Sequence, residues 1–165
     1  MTEQKTHTIS LLVRNKPGVL LRIALIFSRR AFNIESLVVS SALDGRFSRM
    51  TITAKGDTES LNEIIKQSNN LIDVVHTLEH EDETAVEKEL ALIKMSITKQ
   101  NRLEILQIVE NFKAQTIDLT HKSLIIQVTG NTEKINAMID LLQEYKIVET
   151  IRTGKVLMAR GEEET

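Results

Sequence analysis

The 165 residues are enough for one domain or two small ones, and the balance of 41% hydrophobic to 27% charged residues supports a packed core with a solvated surface. A net charge of -2 without any basic block offers no attraction to a nucleic-acid backbone, and the absence of cysteine excludes disulfides, thiolate nucleophiles and cysteine-ligated metals. The polar residues 1–7 lack the apolar core of a signal peptide and no apolar run reaches membrane-spanning length, so a cytoplasmic protein that makes no use of membrane is expected.

Residues 8–14 alternate Ile9, Leu11 and Val13 with Thr8, Ser10 and Arg14, the period of a strand with one buried face. Beyond Asn15-Lys16-Pro17-Gly18, the apolar positions Leu20, Ile23, Ala24 and Phe27 recur at helical spacing, and Arg29-Arg30 place positive charge where the helix dipole favours it. Val19, Leu21, Leu25 and Ile26 make this helix apolar over more of its circumference than one sheet face can cover, which predicts a second covering surface.

Residues 34–42 and 47–54 read as two strands joined through Asp44-Gly45, a hairpin signal. Gly56-Asp57-Thr58 starts a helix carrying Leu61, Ile64 and Ile65, and residues 71–78 return to strand character. The acidic residues 80–87 read as a linker.

The same order then recurs. A strand over 89–97 is followed by a helix with Leu103, Leu106, Val109 and Phe112 on one face, and a hairpin forms around His121-Lys122. A helix capped at Asn131-Thr132 carries Ile135, Met138, Ile139 and Leu142, and residues 148–159, interrupted by Gly154, close the copy as a strand. The pattern is therefore α+β, two ferredoxin-like βαββαβ domains in tandem, with residues 1–79 as the first, 80–87 as linker and 88–165 as the second. Such a module covers one sheet face with helices and leaves its edges open, so pairing with another chain through the first helix and an edge strand is expected.

The loop Asn15-Lys16-Pro17-Gly18 has the makings of an anion site. Proline is tolerated in a first helical turn, Gly18 allows close approach, and the free amides and dipole of the helix start favour a carboxylate. The ammonium of an amino acid could then be accepted by the side-chain carbonyl of Asn15 or Asn33. The same residues are also ordinary capping and turn chemistry.

Four other signals are weaker. His76 and His80 beside Glu79, Glu81, Asp82 and Glu83 suggest a metal cluster, but residues four apart on a strand are roughly 13 Å apart, too far to share an ion. Asp57 and Glu59 fit a helix start better than paired catalysis, and Gly154-Lys155 lacks the rest of a phosphate loop. Arg49, Thr51 and Thr53 stand where an RNA-binding sheet would carry aromatics. No constellation argues for an enzyme, and no metal site is expected.

Taken together, Asn15-Lys16-Pro17-Gly18-Val19-Leu20, Phe32-Asn33-Ile34-Glu35-Ser36-Leu37 and Ser48-Arg49-Met50-Thr51-Ile52 resemble the small subunits of acetolactate synthase (acetohydroxyacid synthase). The resemblance continues through residues 86–94, Ile117-Asp118, Val128-Thr129-Gly130 and Arg152-Thr153-Gly154. It implies that the first domain is an ACT domain, a ferredoxin-like module that binds amino acids between paired copies. It further implies a non-catalytic regulatory homodimer that activates a large catalytic subunit and confers feedback inhibition by valine in branched-chain amino acid biosynthesis. Thiamine diphosphate, magnesium and FAD would belong to that partner, with no cofactor in this chain. By position, the resemblance assigns valine to Asn15, Lys16, Pro17, Gly18, Val19 and Leu20, faced by Asn33 and Ile34 across the domain pairing. An ACT-type module regulating a different enzyme or a transcription factor is the alternative.

Overall fold

The computed structural model describes residues 5–80, 84–162 and 164–165. Two compact units emerge, one formed by residues 1–87 with 155–165 and the other by residues 88–154.

In the first unit, β1 (Lys5–Arg14), α1 (Val19–Arg29), β2 (Asn33–Ser41), β3 (Phe47–Gly56), α2 (Thr58–Asn69) and β4 (Val74–His80) follow the expected βαββαβ order. The sheet runs β2-β3-β1-β4 with antiparallel neighbours. Alternation along β1 sends Ile9, Leu11 and Val13 into a core with Met50, Ile52 and Ala54 of β3, closed by Val19, Ile23, Ile26 and Phe27 of α1 and by Leu61 and Ile64 of α2. The other sheet face carries Thr8, Ser10, Thr51 and Thr53, all buried. Arg49 and His76 donate from this face to the backbone carbonyl of Thr165, His76 through Nε2 at 3.2 Å, so neither the threonines nor Arg49 forms an open platform for bases.

The second unit repeats the plan with β5 (Ala85–Ser96), α3 (Arg102–Asn111), β6 (Gln115–Leu119), β7 (Ser123–Gly130), α4 (Thr132–Leu142) and β8 (Lys146–Arg152) in the order β6-β7-β5-β8. Its aliphatic core joins Ala91, Ile93 and Met95 to Leu124, Ile126 and Val128 beneath Ile105, Ile135 and Met138. Glu89, 5% exposed, accepts two bonds of 2.8 Å from Arg152, which fastens β5 to β8 near the point where the chain leaves the unit.

Two expected boundaries move. Residues 80–87 are no free linker where they are described: His80 ends β4, and Ala85, 2% exposed, opens β5. Glu87 pairs with Lys155 at 2.7 Å and the Arg160 amide donates to Thr84 at 3.0 Å, bonds that the acidic composition conceals. Residues 81–83 lie outside the described ones. The expected closing strand over 148–159 divides at Gly154, whose φ of +82° few other residues adopt, and β9 (Val156–Ala159) pairs with β5. Residues 155–165 thus group with residues 1–87, which include the start of β5 from Ala85 to Glu87. Smaller shifts place the start of β1 at Lys5 and β4 at Val74–His80 instead of 71–78.

Among the described residues no group of three His, Asp or Glu side chains could hold a metal ion, and no helix is long and apolar enough to cross a membrane. His80 instead shares a 2.5 Å hydrogen bond with Ser10, and burial is the main cause that lowers its pKa.

Candidate functional site

The site begins where β1 ends. The Asn15 amide donates to the Arg46 carbonyl at 2.8 Å and the Asn15 side chain donates through Nδ2 to Gly45 at 3.1 Å, so the loop is fastened to the β2–β3 hairpin. The hairpin is held in turn by Arg46, whose guanidinium bonds to both carboxylate oxygens of Asp44 and lowers the pKa of that carboxyl. With Nδ2 spent on Gly45, the Asn15 Oδ1 remains as the acceptor.

Gly18 is the N-cap of α1, at φ 84° and ψ −11°, the left-handed region that glycine adopts at little cost. Pro17 therefore precedes the helix and does not enter its first turn as expected. A glycine cap has no side chain to give, and the first turn of α1 contains no acidic residue. The Val19 amide makes only a long 3.5 Å contact to Lys16, and among the described residues the amides of Leu20 and Leu21 have no protein acceptor. Orphan amides at the positive end of a helix are the physical basis of an anion site.

Two of the other helices, α2 and α4, close their own ends. Asp57 accepts from the Ser60 amide at 2.9 Å and Asn131 accepts from Lys134 at 3.1 Å, each with a glutamate in the following turn. The turn that corresponds to Asn15–Gly18 in the second unit is filled by Thr98 and Asn101. The Thr98 amide donates to Asn101 Oδ1 at 2.7 Å, and the Asn101 amide donates to Thr98 Oγ1 at 3.3 Å. Asn101 gives no side-chain cap to α3, but Glu104 places a negative charge in its first turn, where α1 has none, and opposes a carboxylate there. Calorimetry of the full chain with an amino acid should therefore register no more than one ligand per chain. A stoichiometry of two would place a site in the second unit as well.

Beside the loop lies a cleft of about 390 Å³ lined by Arg14, Asn15, Lys16, Arg46 and Phe47, whose cations add to the attraction for a carboxylate. Asn15, Lys16, Pro17 and Gly18 are exposed and Leu20 is 41% exposed, whereas Val19 is in the core and contributes only backbone.

Asn33 and Ile34 stand elsewhere. Asn33 pairs with Lys55, which pairs with Thr6, while the loop follows Arg14 at the other end of β1. The intervening eight residues of strand put about 26 Å between the two positions. One chain alone does not bring them together, and the Ile34 side chain packs against the core. Two residues absent from the sequence argument do touch the loop's surroundings. Asp73 bonds through its carboxylate to Arg22 of α1 and through its carbonyl, at 2.7 Å, to the Arg14 amide.

Comparison with known proteins is consistent with this geometry. A family described as "AHAS small subunit-like ACT domain" matches residues 9–76, and one described as "Small subunit of acetolactate synthase" matches residues 88–161. The chain is 46% identical to a probable acetolactate synthase small subunit of Archaeoglobus fulgidus, covering 94% of this chain and 97% of the relative. It is 43% identical to the acetolactate synthase small subunit of Mycobacterium bovis, over 95% and 94% of the two. The crystal structure of the acetolactate synthase small subunit from Thermotoga maritima, 39% identical, superposes with a TM-score of 0.86 over 96% of this chain and 99% of that one.

Proposed function

Because the chain belongs to the family of acetolactate synthase small subunits, we propose that it binds and activates a large catalytic subunit and makes that enzyme sensitive to valine. The observation that carries the proposal is the uncapped start of α1, with the amides of Leu20 and Leu21 unspent beside a cationic cleft. A valine carboxylate accepts from those amides, its ammonium donates to Asn15 Oδ1, and its aliphatic side chain lies against the exposed surface of Leu20.

The second half of the site comes from a homodimer. β2 is an edge strand, and beside it Leu37 and Val39 join Leu21 and Leu25 of α1 as exposed apolar residues. Antiparallel pairing of β2 with the same strand of a second copy sets the partner's Asn33 beside Ser41. Ser41 pairs with Ser48 and Ser48 with Val13, next to the loop. A two-fold axis thus reunites the halves that one chain keeps apart. Leu37 is the central residue of β2, so Leu37→Lys would oppose two ammonium groups near the axis. Light scattering should then find a monomer, with valine affinity down at least about tenfold, because a binding-competent dimer is lost. A dimer that survives the substitution would remove β2 from the interface.

Inhibition requires that valine bind one state of the holoenzyme more tightly, typically by about 1–3 kcal/mol. Thiamine diphosphate, magnesium and FAD reside in the catalytic partner under this proposal, and no residue of this chain is assigned to them. The same reading places both subunits in the cytoplasm, without nucleic acid or membrane as partner. The test is reconstitution with the catalytic subunit. Addition of this chain should raise acetolactate formation and valine should lower it again, whereas an activity indifferent to both would refute the proposal.

A further inference from the structure

We propose that Asp73 and Arg22 form a brace that holds the valine loop in its binding shape, an inference that rests on the assignment of valine to that loop. The loop is flanked by Arg14 on one side and by the first turns of α1 on the other, and Asp73 binds both flanks. Its backbone carbonyl accepts from the Arg14 amide, one residue ahead of Asn15. Its carboxylate accepts from the Arg22 guanidinium, and the Arg22 amide donates at 3.1 Å to the carbonyl of Gly18, the N-cap itself. Two polar links from one residue therefore fix the separation that the four residues Asn15 to Gly18 must span.

Burial makes the brace stiff. The Asp73 side chain is 11% exposed, so it cannot exchange Arg22 for water without penalty, whereas Arg22, 48% exposed, can leave. Asp73 is itself held in a turn ahead of β4, where the Val74 amide donates to Leu71 at 3.0 Å. A loop pre-shaped in this way loses less conformational freedom when the effector arrives, and affinity rises accordingly. Asp73 and Arg22 are positioning residues and touch no effector themselves.

The experiment measures, in the reconstituted holoenzyme, both the valine concentration for half-inhibition and the activity without valine. Arg22→Gln should raise the half-inhibiting concentration about tenfold while activity without valine stays within twofold of the parent. Arg22→Lys, which keeps the charge, should recover most of the sensitivity. Asp73→Asn combined with Arg22→Gln should do no more harm than the worse single change, because one link is broken in each. An unchanged response to valine in Arg22→Gln would overturn the brace, as would equal loss of activation and sensitivity or additive losses in the double variant. Should the parent holoenzyme itself ignore valine, the assignment of the loop fails instead, and the two failures are thereby distinguished.

Discussion

Gly18→Asp should raise the dissociation constant for valine at least about a hundredfold while leaving the first unit folded, as judged by calorimetric titration and thermal melting. A Cβ at Gly18 meets no atom within 4 Å, so the substitution creates no clash. The positive φ costs about 1–2 kcal/mol for a residue with a side chain, and Asp is among those that tolerate it best. The large effect is electrostatic. The new carboxylate stands at the start of α1, in the space proposed for the effector's own carboxylate, and two such charges about 4 Å apart near a protein surface repel by roughly 4 kcal/mol. Gly18→Asn has nearly the same shape without the charge and should lose only about tenfold, so the ratio between the two variants isolates the charge. Equal affinity for valine in Gly18→Asp and the parent would place the effector elsewhere.

The second large effect lies beside Asn33, the other half of the proposed site. A Cβ on Gly56 would stand 2.2 to 2.6 Å from three atoms of the Phe32 ring, which is 6% exposed and stacks edge-on to Phe27 with a centroid separation of 6.4 Å. The ring must tilt, and overpacking of this kind costs about 1–3 kcal/mol. Gly56→Ala should accordingly lower the melting temperature by roughly 2–12 °C, given about 2–4 °C per kcal/mol for a chain of this size. Phe32 immediately precedes Asn33, so the tilt also displaces the residue that a partner would present to the valine loop. Sensitivity to valine should fall several-fold even though Gly56 is remote from the loop. Unaltered melting in Gly56→Ala would contradict the packing described around Phe32.

The element order was legible because both codes are strong here. Ile9, Leu11 and Val13 alternate cleanly, and Leu61 and Ile64 keep helical spacing, so local pattern and tertiary burial agree. What failed was the reading of residues 80–87 by composition. Glu87 is neutralised by Lys155, 68 residues away, and no local rule reveals that an acidic residue is already paired. For the same reason the return of residues 155–165 to the first unit was hidden, although Gly154 did mark the break.

The loop itself was visible through residue type. Asn15 and Gly18 stand in the turn between β1 and α1, while Pro17 lies just ahead of the N-cap and Val19 is core. The brace was not visible. Arg22 and Asp73 are 51 positions apart, each ordinary in its own segment, and only the fold brings the turn ahead of β4 to α1.

The most direct test follows the backbone amides of the isotopically labelled protein by NMR during addition of valine. Leu20 and Leu21 should show the largest downfield shifts, saturating together with Asn15 and Asn33, as hydrogen bonds to a carboxylate form where none exist now. Saturable valine binding that leaves the Leu20 and Leu21 amides unmoved would contradict the account at its centre.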